Sequence, residues 1–163
     1  MVSPELLRRY AFFAGLSYEN IVTLAGLAEE ETVEAGHVFF HEGERLDRFY
    51  LLVQGNVGVI IELPDTRVEQ PVSGQLTGVL KTRDVVVSTV GPGEVFGWSA
   101  LVPPHTATAG AKALTPCRVV VFDAAGLLKA FAEDCHFGYV MMQKAAETIR
   151  SRLHDMHIQS LAA

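Results

Sequence analysis

Short runs of β-branched and aromatic residues, separated by breaks that contain glycine, fill the chain from Glu31 to Asp123. They include "HVFFHEG", "RFYLLVQGNVGVIIEL", "DVVVSTV" and "CRVVVFD". Runs of this length and composition predict strands, and glycine supplies the backbone freedom that tight turns need. At "QGN", residues 54–56, two apolar runs meet at residues that tolerate a positive φ, which predicts a β-hairpin. The middle of the chain is therefore predicted to be an antiparallel sheet of about eight strands.

Helical periodicity returns on both sides of this region. Apolar residues recur at helical spacing in "PELLRRYAFF", and Ser17 stands before "YENIVTLAGLA" as a helix cap. After Asp123, "AAGLLKAFAED" predicts a short helix, and Asp134 is placed to cap a longer one that runs toward His157. The order of elements predicts an α+β fold, an antiparallel eight-stranded β-roll of the double-stranded jelly-roll type with N-terminal helices and two C-terminal helices.

A chain of 163 residues with 49% hydrophobic content fits one domain with a single core. Its predicted parts are the N-terminal helices, the β-roll and the C-terminal helices, in residues 1–29, 30–123 and 124–163. The polar stretch from Pro64 to Arg83 has no sustained period, which predicts a long hairpin extension or mobile loop of unassigned role. Cys117 and Cys135 are predicted to be buried free thiols.

The last predicted helix carries an apolar stripe at alternating spacings of three and four. Its members are Tyr139, Met142, Ala146, Ile149, Leu153 and Met156. Such a stripe is typical of the seam of a coiled coil, and a packed core helix produces the same pattern over one or two turns. We expect a homodimer through this seam, and an intramolecular core face is the alternative.

The net charge of −6 and a pI near 5.5 disfavour DNA and anionic lipid as direct partners. No run of 18 apolar residues occurs, so a cytoplasmic protein is expected, with no membrane partner. No helix-turn-helix for DNA binding is expected after the last helix, because only "IQSLAA" remains. We therefore expect a stand-alone domain whose output passes through a separate effector protein.

The glycine positions and one cassette resemble a known family. The supporting segments are "FAGLS", "VEAGHVFFHEGE", "DRFYLLVQGNVGV", "GPGEVFG" and "TATA". In this order they are similar to the cyclic-nucleotide-binding domain, the β-roll shared by the catabolite activator protein and the regulatory subunits of cyclic-AMP-dependent kinase. The resemblance extends from Phe13 to about Leu153.

The resemblance implies a phosphate-binding cassette within "GEVFGWSALVPPHTATA". In the family a short helix directs backbone N–H groups at the cyclic phosphate, a glutamate binds the ribose 2′-hydroxyl, and an arginine forks onto the phosphate. Here Trp98 falls where the glutamate would be, and His105 falls nearest to the arginine. The candidate ligand-binding residues are Phe96, Gly97, Trp98, Ser99, Ala100, His105 and Thr106. The expected ligand is a cyclic nucleotide or another small anion.

Both departures have a structural and a functional interpretation. Trp98 is either a packing aromatic or a floor for a different flat ligand, because an indole donates a hydrogen bond but accepts none. His105 is either a surface loop residue or a pH-sensitive anion contact. Thr106 and Thr108 share one face of a predicted strand, where hydroxyls suit a phosphate or sugar and also have ordinary β-propensity.

No catalytic residues are predicted, because no nucleophile has a base in a recognisable context and no carboxylate pair has acid–base spacing. His37 and His41 could share one face of the roll, but the third ligand of a metal site would have to come from far away, so no metal is predicted. The expected function is a regulatory ligand sensor with altered or lost cyclic-nucleotide specificity. The alternatives are a ligand-independent interaction module and a cupin-like metalloprotein.

Overall fold

The computed structural model describes residues 1–64 and 82–162. Its helices are α1 (Pro4–Arg8), α2 (Tyr18–Gly26), α3 (Ala124–Glu133) and α4 (Cys135–Ala162), with short 3₁₀ turns at Ala11–Phe13 and Trp98–Ala100. Its strands are β1 (Ala28–Val33), β2 (Val38–Phe40), β3 (Arg48–Gln54), β4 (Val57–Pro64), β5 (Thr82–Val90), β6 (Val95–Phe96), β7 (Gly110–Ala113) and β8 (Cys117–Asp123). The predicted α+β fold with eight antiparallel strands is confirmed.

The strands form two four-stranded sheets. One has the order β1-β8-β3-β6 and the other β2-β7-β4-β5, with every pairing antiparallel. The predicted strand at "TATAGAKAL" begins only at Gly110, because Thr106 forms an isolated bridge with Arg45 instead. The β-roll was predicted to begin at residue 30, whereas its first strand, β1, begins two residues earlier, at Ala28.

The hairpin predicted at residues 54–56 is wrong. The chain does reverse there, and Gly55 has the predicted positive φ of 100°. However, β3 pairs with β6 and β8, whereas β4 pairs with β5 and β7, so the reversal carries the chain from one sheet to the other. A side chain at Gly55 would place its Cβ 2.5 Å from the Pro116 carbonyl oxygen. The close approach of a neighbouring turn, and not a hairpin, therefore requires this glycine.

The hydrogen-bonded hairpin of this region is β4–β5, which pairs from Val57↔Val90 out to Pro64↔Thr82. The ends of the loop predicted from Pro64 to Arg83 therefore belong to strands, Pro64 to β4 and Thr82 and Arg83 to β5. The rest of that prediction, residues 65–81, lies outside the described residues.

Strands β3 and β8 are buried on both faces, which explains their nearly continuous apolar sequences. One face meets the helices, where Phe49 and Phe122 pack with ring centroids 5.9 Å apart. The other face lines the interior of the roll, where Tyr50 stacks on Phe96 at 4.7 Å. The core therefore continues from the helices through the first sheet into the roll.

Both predicted helix caps are present. Ser17 Oγ accepts a hydrogen bond from the Asn20 N–H at 3.1 Å, and Asp134 Oδ1 accepts one from the Phe137 N–H at 3.1 Å. Asp134 also accepts from the side-chain amide of Asn20, so one carboxylate links α2 to the start of α4. Across the described ranges, no helix combines the length and apolar character needed to cross a bilayer.

Candidate functional site

The cassette begins with a tight turn that requires glycine. Gly97 has a φ of 76°, and an added Cβ would lie 3.0 Å from Tyr50 Cδ2 and 3.3 Å from the Arg48 carbonyl oxygen. Both the backbone angle and the close neighbours exclude a larger residue without rearrangement. The turn is therefore set tightly against β3, and it directs the chain from β6 into the 3₁₀ turn that starts at Trp98.

An aromatic cluster supports this turn from inside the roll. Phe96 stacks on Tyr50 with an interplanar angle of 8°, and Phe39 meets both rings edge-on at 5.0–5.3 Å. Burial raises the pKa of the Tyr50 phenol, although the nearby Arg48 guanidinium opposes that rise. The phenol is therefore neutral at ordinary pH, and the cluster acts as a rigid apolar base for the cassette.

The 3₁₀ turn uses some of its own backbone donors. The Ala100 N–H donates to the Gly97 carbonyl at 3.0 Å, so it is not available to a ligand. The N–H groups of Trp98 and Ser99 have no acceptor within the described part of the chain. The N–H groups of Trp98 and Ser99 are therefore the donors of this turn that remain for a ligand.

His105 lies in an unusual backbone environment. It follows a cis bond between Pro103 and Pro104, and it is the one non-glycine residue with a positive φ, 64°, within the described ranges. Its Nδ1 lies 3.0 Å from the Ala100 carbonyl oxygen. Because a carbonyl only accepts, Nδ1 carries the proton and donates this bond. His105 thus links the end of the cassette to the last residue of the 3₁₀ turn.

A partly open cavity of about 210 Å³ lies beside the Gly97 turn. Its roll side is formed mainly by apolar residues of the strands and of the segment before β7. These include Phe40, Leu46, Val59, Ile61, Phe96 and Ala111. The last helix supplies the opposite side with Ile149, Arg152, Leu153 and Met156. The cavity is therefore an apolar chamber between the roll and α4.

The cavity collects some of the predicted site residues and leaves out others. Those on its wall are Phe96, Gly97, Trp98 and Ser99, with Thr108 as a further member. Ala100, His105 and Thr106 are not among the lining residues. The Thr106 hydroxyl instead lies 3.5 Å from the Pro104 carbonyl oxygen. Thr106 and Thr108 therefore have different surroundings, and neither lies in a regular strand, because β7 begins only at Gly110.

Arg152 is a cavity residue that sequence reasoning missed. It retains only 9% of its accessible surface, and Nη2 donates to the Val95 carbonyl oxygen at 3.2 Å. Nη1 lies 3.8 Å from Glu94 Oε2 and 3.9 Å from Asp155 Oδ2. Asp155 in turn accepts a hydrogen bond of 2.5 Å from the buried Ser88 hydroxyl. This network joins α4 to both sheets, and no pattern in the sequence marks an arginine within a polar helical turn as buried.

The predicted seam residues lie beside the buried face of α4 and not on it. The buried residues of the helix are Phe137, Gly138, Met141, Ala145 and Arg152. Of the seam, Met142 packs on the core, whereas Tyr139, Ala146, Leu153 and Met156 are exposed. Ile149, Leu153 and Met156 also contribute to the cavity wall, so the stripe has an intramolecular role. The homodimer through its exposed members stays a prediction.

The histidines and cysteines considered above lie apart from this cavity. His41 Nδ1 lies 2.8 Å from Glu62 Oε1, and the His37 ring packs edge-on against Phe39. Among the described residues, no three potential ligands come together as a metal site. Cys117 is buried as predicted, but Cys135 is exposed because it lies in the first turn of α4 on the outer face.

The arrangement defines a class of protein: a β-roll domain with a glycine-led cassette and a cavity between the roll and the C-terminal helix. The family model of the cyclic nucleotide-binding domain matches residues 30–134. The chain therefore belongs to the cyclic nucleotide-binding domain family, as the glycines and the cassette predicted.

Individual relatives agree with this assignment. A CRP-like cAMP-activated global transcriptional regulator of Mycobacterium tuberculosis is 25% identical over 146 residues, and the chain spans 58% of that protein's length. The match covers 90% of this chain.

Two crystal structures show the same fold. A Geobacter metallireducens GS-15 protein named for cyclic nucleotide binding has a TM-score of 0.74 and 32% identity, with 94% of this chain and 100% of that chain covered. The N-terminal domain of a Streptomyces coelicolor transcriptional regulator has a TM-score of 0.64 and 26% identity, with 93% and 94% covered.

Proposed function

We propose that this chain is a non-catalytic regulatory domain that senses a small molecule, and that its cyclic-nucleotide specificity is altered or lost. The observation that carries this proposal is the apolar cavity beside Gly97, whose wall includes residues of both the roll and α4. A ligand in the cavity contacts both parts at once. Its binding therefore favours the arrangement in which the helix lies against the roll, provided that it binds the alternative arrangement less tightly.

The altered specificity follows from the chemistry at the cassette. The Trp98 indole N–H donates but accepts no hydrogen bond, so a ribose hydroxyl finds no acceptor where the family has glutamate. His105 directs Nδ1 at the Ala100 carbonyl and lies outside the cavity wall. Hydrogen bonds to charged groups contribute about 1.5–3 kcal/mol each, so losing both weakens binding by several hundred-fold or more.

Titration with cyclic AMP and cyclic GMP tests this proposal. Trp98 lines the cavity and is the chain's single tryptophan, so its emission reports occupancy directly. We expect no saturable change at micromolar nucleotide and no rise in the thermal midpoint. A ligand present at 100 times its dissociation constant would stabilise the fold by about 2.7 kcal/mol. A dissociation constant below about 1 μM for either nucleotide would overturn the altered specificity.

For the output of the domain we propose a homodimer formed through α4 that acts on a separate effector protein in the cytoplasm. The exposed positions Ala146, Leu153 and Met156 support the dimer, because they recur at the spacing of a coiled-coil seam. The net charge of −6 supports an effector other than DNA or an anionic membrane.

A ligand-independent interaction module is the second candidate. It is favoured by the last turns of α4, where Ile158 and Leu161 are exposed in addition to the seam. Apolar side chains exposed together on one helix end indicate a contact surface for another chain. Sedimentation and amide exchange of α4, each measured with and without a cavity ligand, separate the two candidates, since only a sensor changes its assembly or its helix dynamics on binding.

A further inference from the structure

The wall of the cavity is chemically unlike a nucleotide site. Aliphatic and aromatic side chains form most of it, among them Val59, Ile61 and Phe96 from the roll and Ile149 from the helix. Its polar side chains are Ser99, Thr108, Arg152 and the indole of Trp98. A ligand in this chamber therefore exchanges water mainly for hydrocarbon, which favours apolar surface at about 25 cal/mol per Å².

Arg152 is the one charged residue among the described residues that line the cavity, and its charge is already balanced. Two carboxylates, those of Glu94 and Asp155, lie within 4.0 Å of Nη1, and Nη2 is bonded to the Val95 carbonyl oxygen. An anion entering the cavity would meet this neutralised group and would lose its own hydration. The N–H groups of Trp98 and Ser99 offer an anion dipoles but no charge. Burying an anion without a free cation beside it is strongly unfavourable, so the cavity disfavours a phosphate or a carboxylate.

The size of the cavity restricts the ligand further. An engineered apolar cavity of about 150 Å³ binds benzene, whereas sites for drug-sized ligands measure about 300–1,000 Å³. The volume of about 210 Å³ found here lies between these values. It suits a single ring with one or two small substituents, or an aliphatic molecule of similar size.

We propose that the ligand of this cavity is a small, neutral, apolar molecule, most simply a substituted monocyclic aromatic, and not an anion. This inference rests on the proposed sensing function, because it names the ligand class of the same cavity. The Trp98 indole then serves as a wall for a ring in the place where the family binds ribose, and the hydroxyls of Ser99 and Thr108 offer weak polar contacts.

A matched pair of probes tests the ligand class. Iodobenzene carries a heavy atom that quenches an indole on contact, and 4-iodobenzoate is the same ring with an added carboxylate. We expect saturable quenching of Trp98 emission by iodobenzene and at least tenfold weaker binding of 4-iodobenzoate. Equal or tighter binding of the carboxylate would overturn the inference and would indicate an anion site at Arg152. Quenching that rises linearly without saturation would also overturn it, since it shows collisions only.

Cavity-filling variants locate the binding. Val59→Phe adds volume to the wall, whereas Val86→Phe makes the same change on β5, at a position away from the cavity. We expect Val59→Phe to abolish saturable quenching and Val86→Phe to retain it. If Val59→Phe lacks a cooperative thermal transition, Ile61→Phe fills the same wall and replaces it. Retention of iodobenzene binding in the folded filling variant would place the probe elsewhere and overturn the inference.

The outcomes for ligand class and for sensing are distinguishable. Amide exchange of residues 149–162, measured with and without iodobenzene, reports whether occupancy stabilises the end of α4. Binding without a change in exchange leaves the ligand class standing and removes the sensing function. Submicromolar binding of cyclic AMP with slower exchange, together with no binding of iodobenzene, would remove the proposed ligand class and leave the sensing function standing.

Discussion

Arg152 on α4 donates a hydrogen bond from Nη2 to the carbonyl oxygen of Val95, 3.2 Å away on β6. Val95 lies two residues before the Gly97 turn, so the helix is fastened to the strand that leads into the cassette. Along the same helical turn, Asp155 is bonded to Ser88 on β5. The last part of α4 is therefore held by directional polar contacts on both sides of the cavity, and not by apolar packing alone.

Replacing Arg152 by methionine is expected to release this part of the helix. The change keeps much of the apolar stem but leaves the Val95 carbonyl without its donor and the two neighbouring carboxylates without their cation. We expect a loss of about 1.5–3 kcal/mol in the free energy of unfolding, and faster amide exchange in residues 149–162. Arg150→Met is the control, since Arg150 is exposed on the same helix and should change stability by less than about 0.5 kcal/mol. Equal effects of the two variants would show that the buried contacts are not what holds the helix.

The dimer seam is best tested at Ala146. This residue is exposed and belongs to the predicted seam, yet it does not line the cavity, unlike Ile149, Leu153 and Met156. In a two-fold seam, Ala146→Glu would bring carboxylates together in an apolar interface, so we expect monomers by sedimentation. Gln143→Glu introduces the same charge at an exposed position outside the seam and should leave the dimer intact. A wild-type chain that already sediments as a monomer would leave the stripe with its intramolecular role only.

The sequence predicted the strands well because their apolar runs reflect local burial, which composition records. It did not predict which strands pair. The tight turn at Gly55 looks the same in sequence whether it joins neighbours in one sheet or, as here, passes between sheets. Nor does it show that the turn containing Pro116, distant in sequence, packs against Gly55.

The candidate site was predicted in part for a similar reason. Residues 96–99 lie on the cavity wall because the "GPGEVFG" turn fixes their position locally. His105 does not reach the wall, and its Nδ1 is instead bonded to the carbonyl oxygen of Ala100. Arg152 was missed because its burial comes from β5 and β6, which are distant in sequence. Local pattern thus predicted the cassette and the last helix, but not the buried arginine that joins them.

The pH dependence of stability should carry a contribution from Asp134. The hydrogen bond from the Phe137 N–H, and then that from Asn20, lower the pKa of this carboxyl below its usual range. The ordinary pKa of an unfolded aspartate is about 3.9. Because the folded pKa is depressed, the stabilisation is fully present above the unfolded pKa and is lost as pH falls through the folded value. We therefore expect Asp134→Asn to destabilise the protein more at pH 7 than at pH 3, as measured by urea unfolding.

Asp123→Asn provides the comparison for that experiment. Asp123 precedes α3 in the same way but makes no side-chain capping bond. Its substitution should therefore shift the free energy of unfolding by a similar small amount at both pH values. A pH-independent effect at Asp134 would show that its hydrogen bonds do not favour the charged form.

The glycine of the cassette turn is expected to control both stability and the cavity. In Gly97→Ala the new Cβ would lie 3.0 Å from Tyr50 Cδ2, and Tyr50 is itself held by stacking on Phe96. The left-handed backbone alone costs about 1–2 kcal/mol for a residue with a side chain, and the contact adds to it. We expect a loss of at least that size in the free energy of unfolding and a shift in Trp98 emission, since Trp98 follows directly in the turn.

Gly26→Ala, at the end of α2, is the control. Its added Cβ meets no atom within 4 Å and the φ is ordinary, so we expect a gain of about 0.4–1 kcal/mol. Wild-type stability and emission in Gly97→Ala would mean that the turn tolerates a side chain, and that Gly97 does not set the position of the cavity wall.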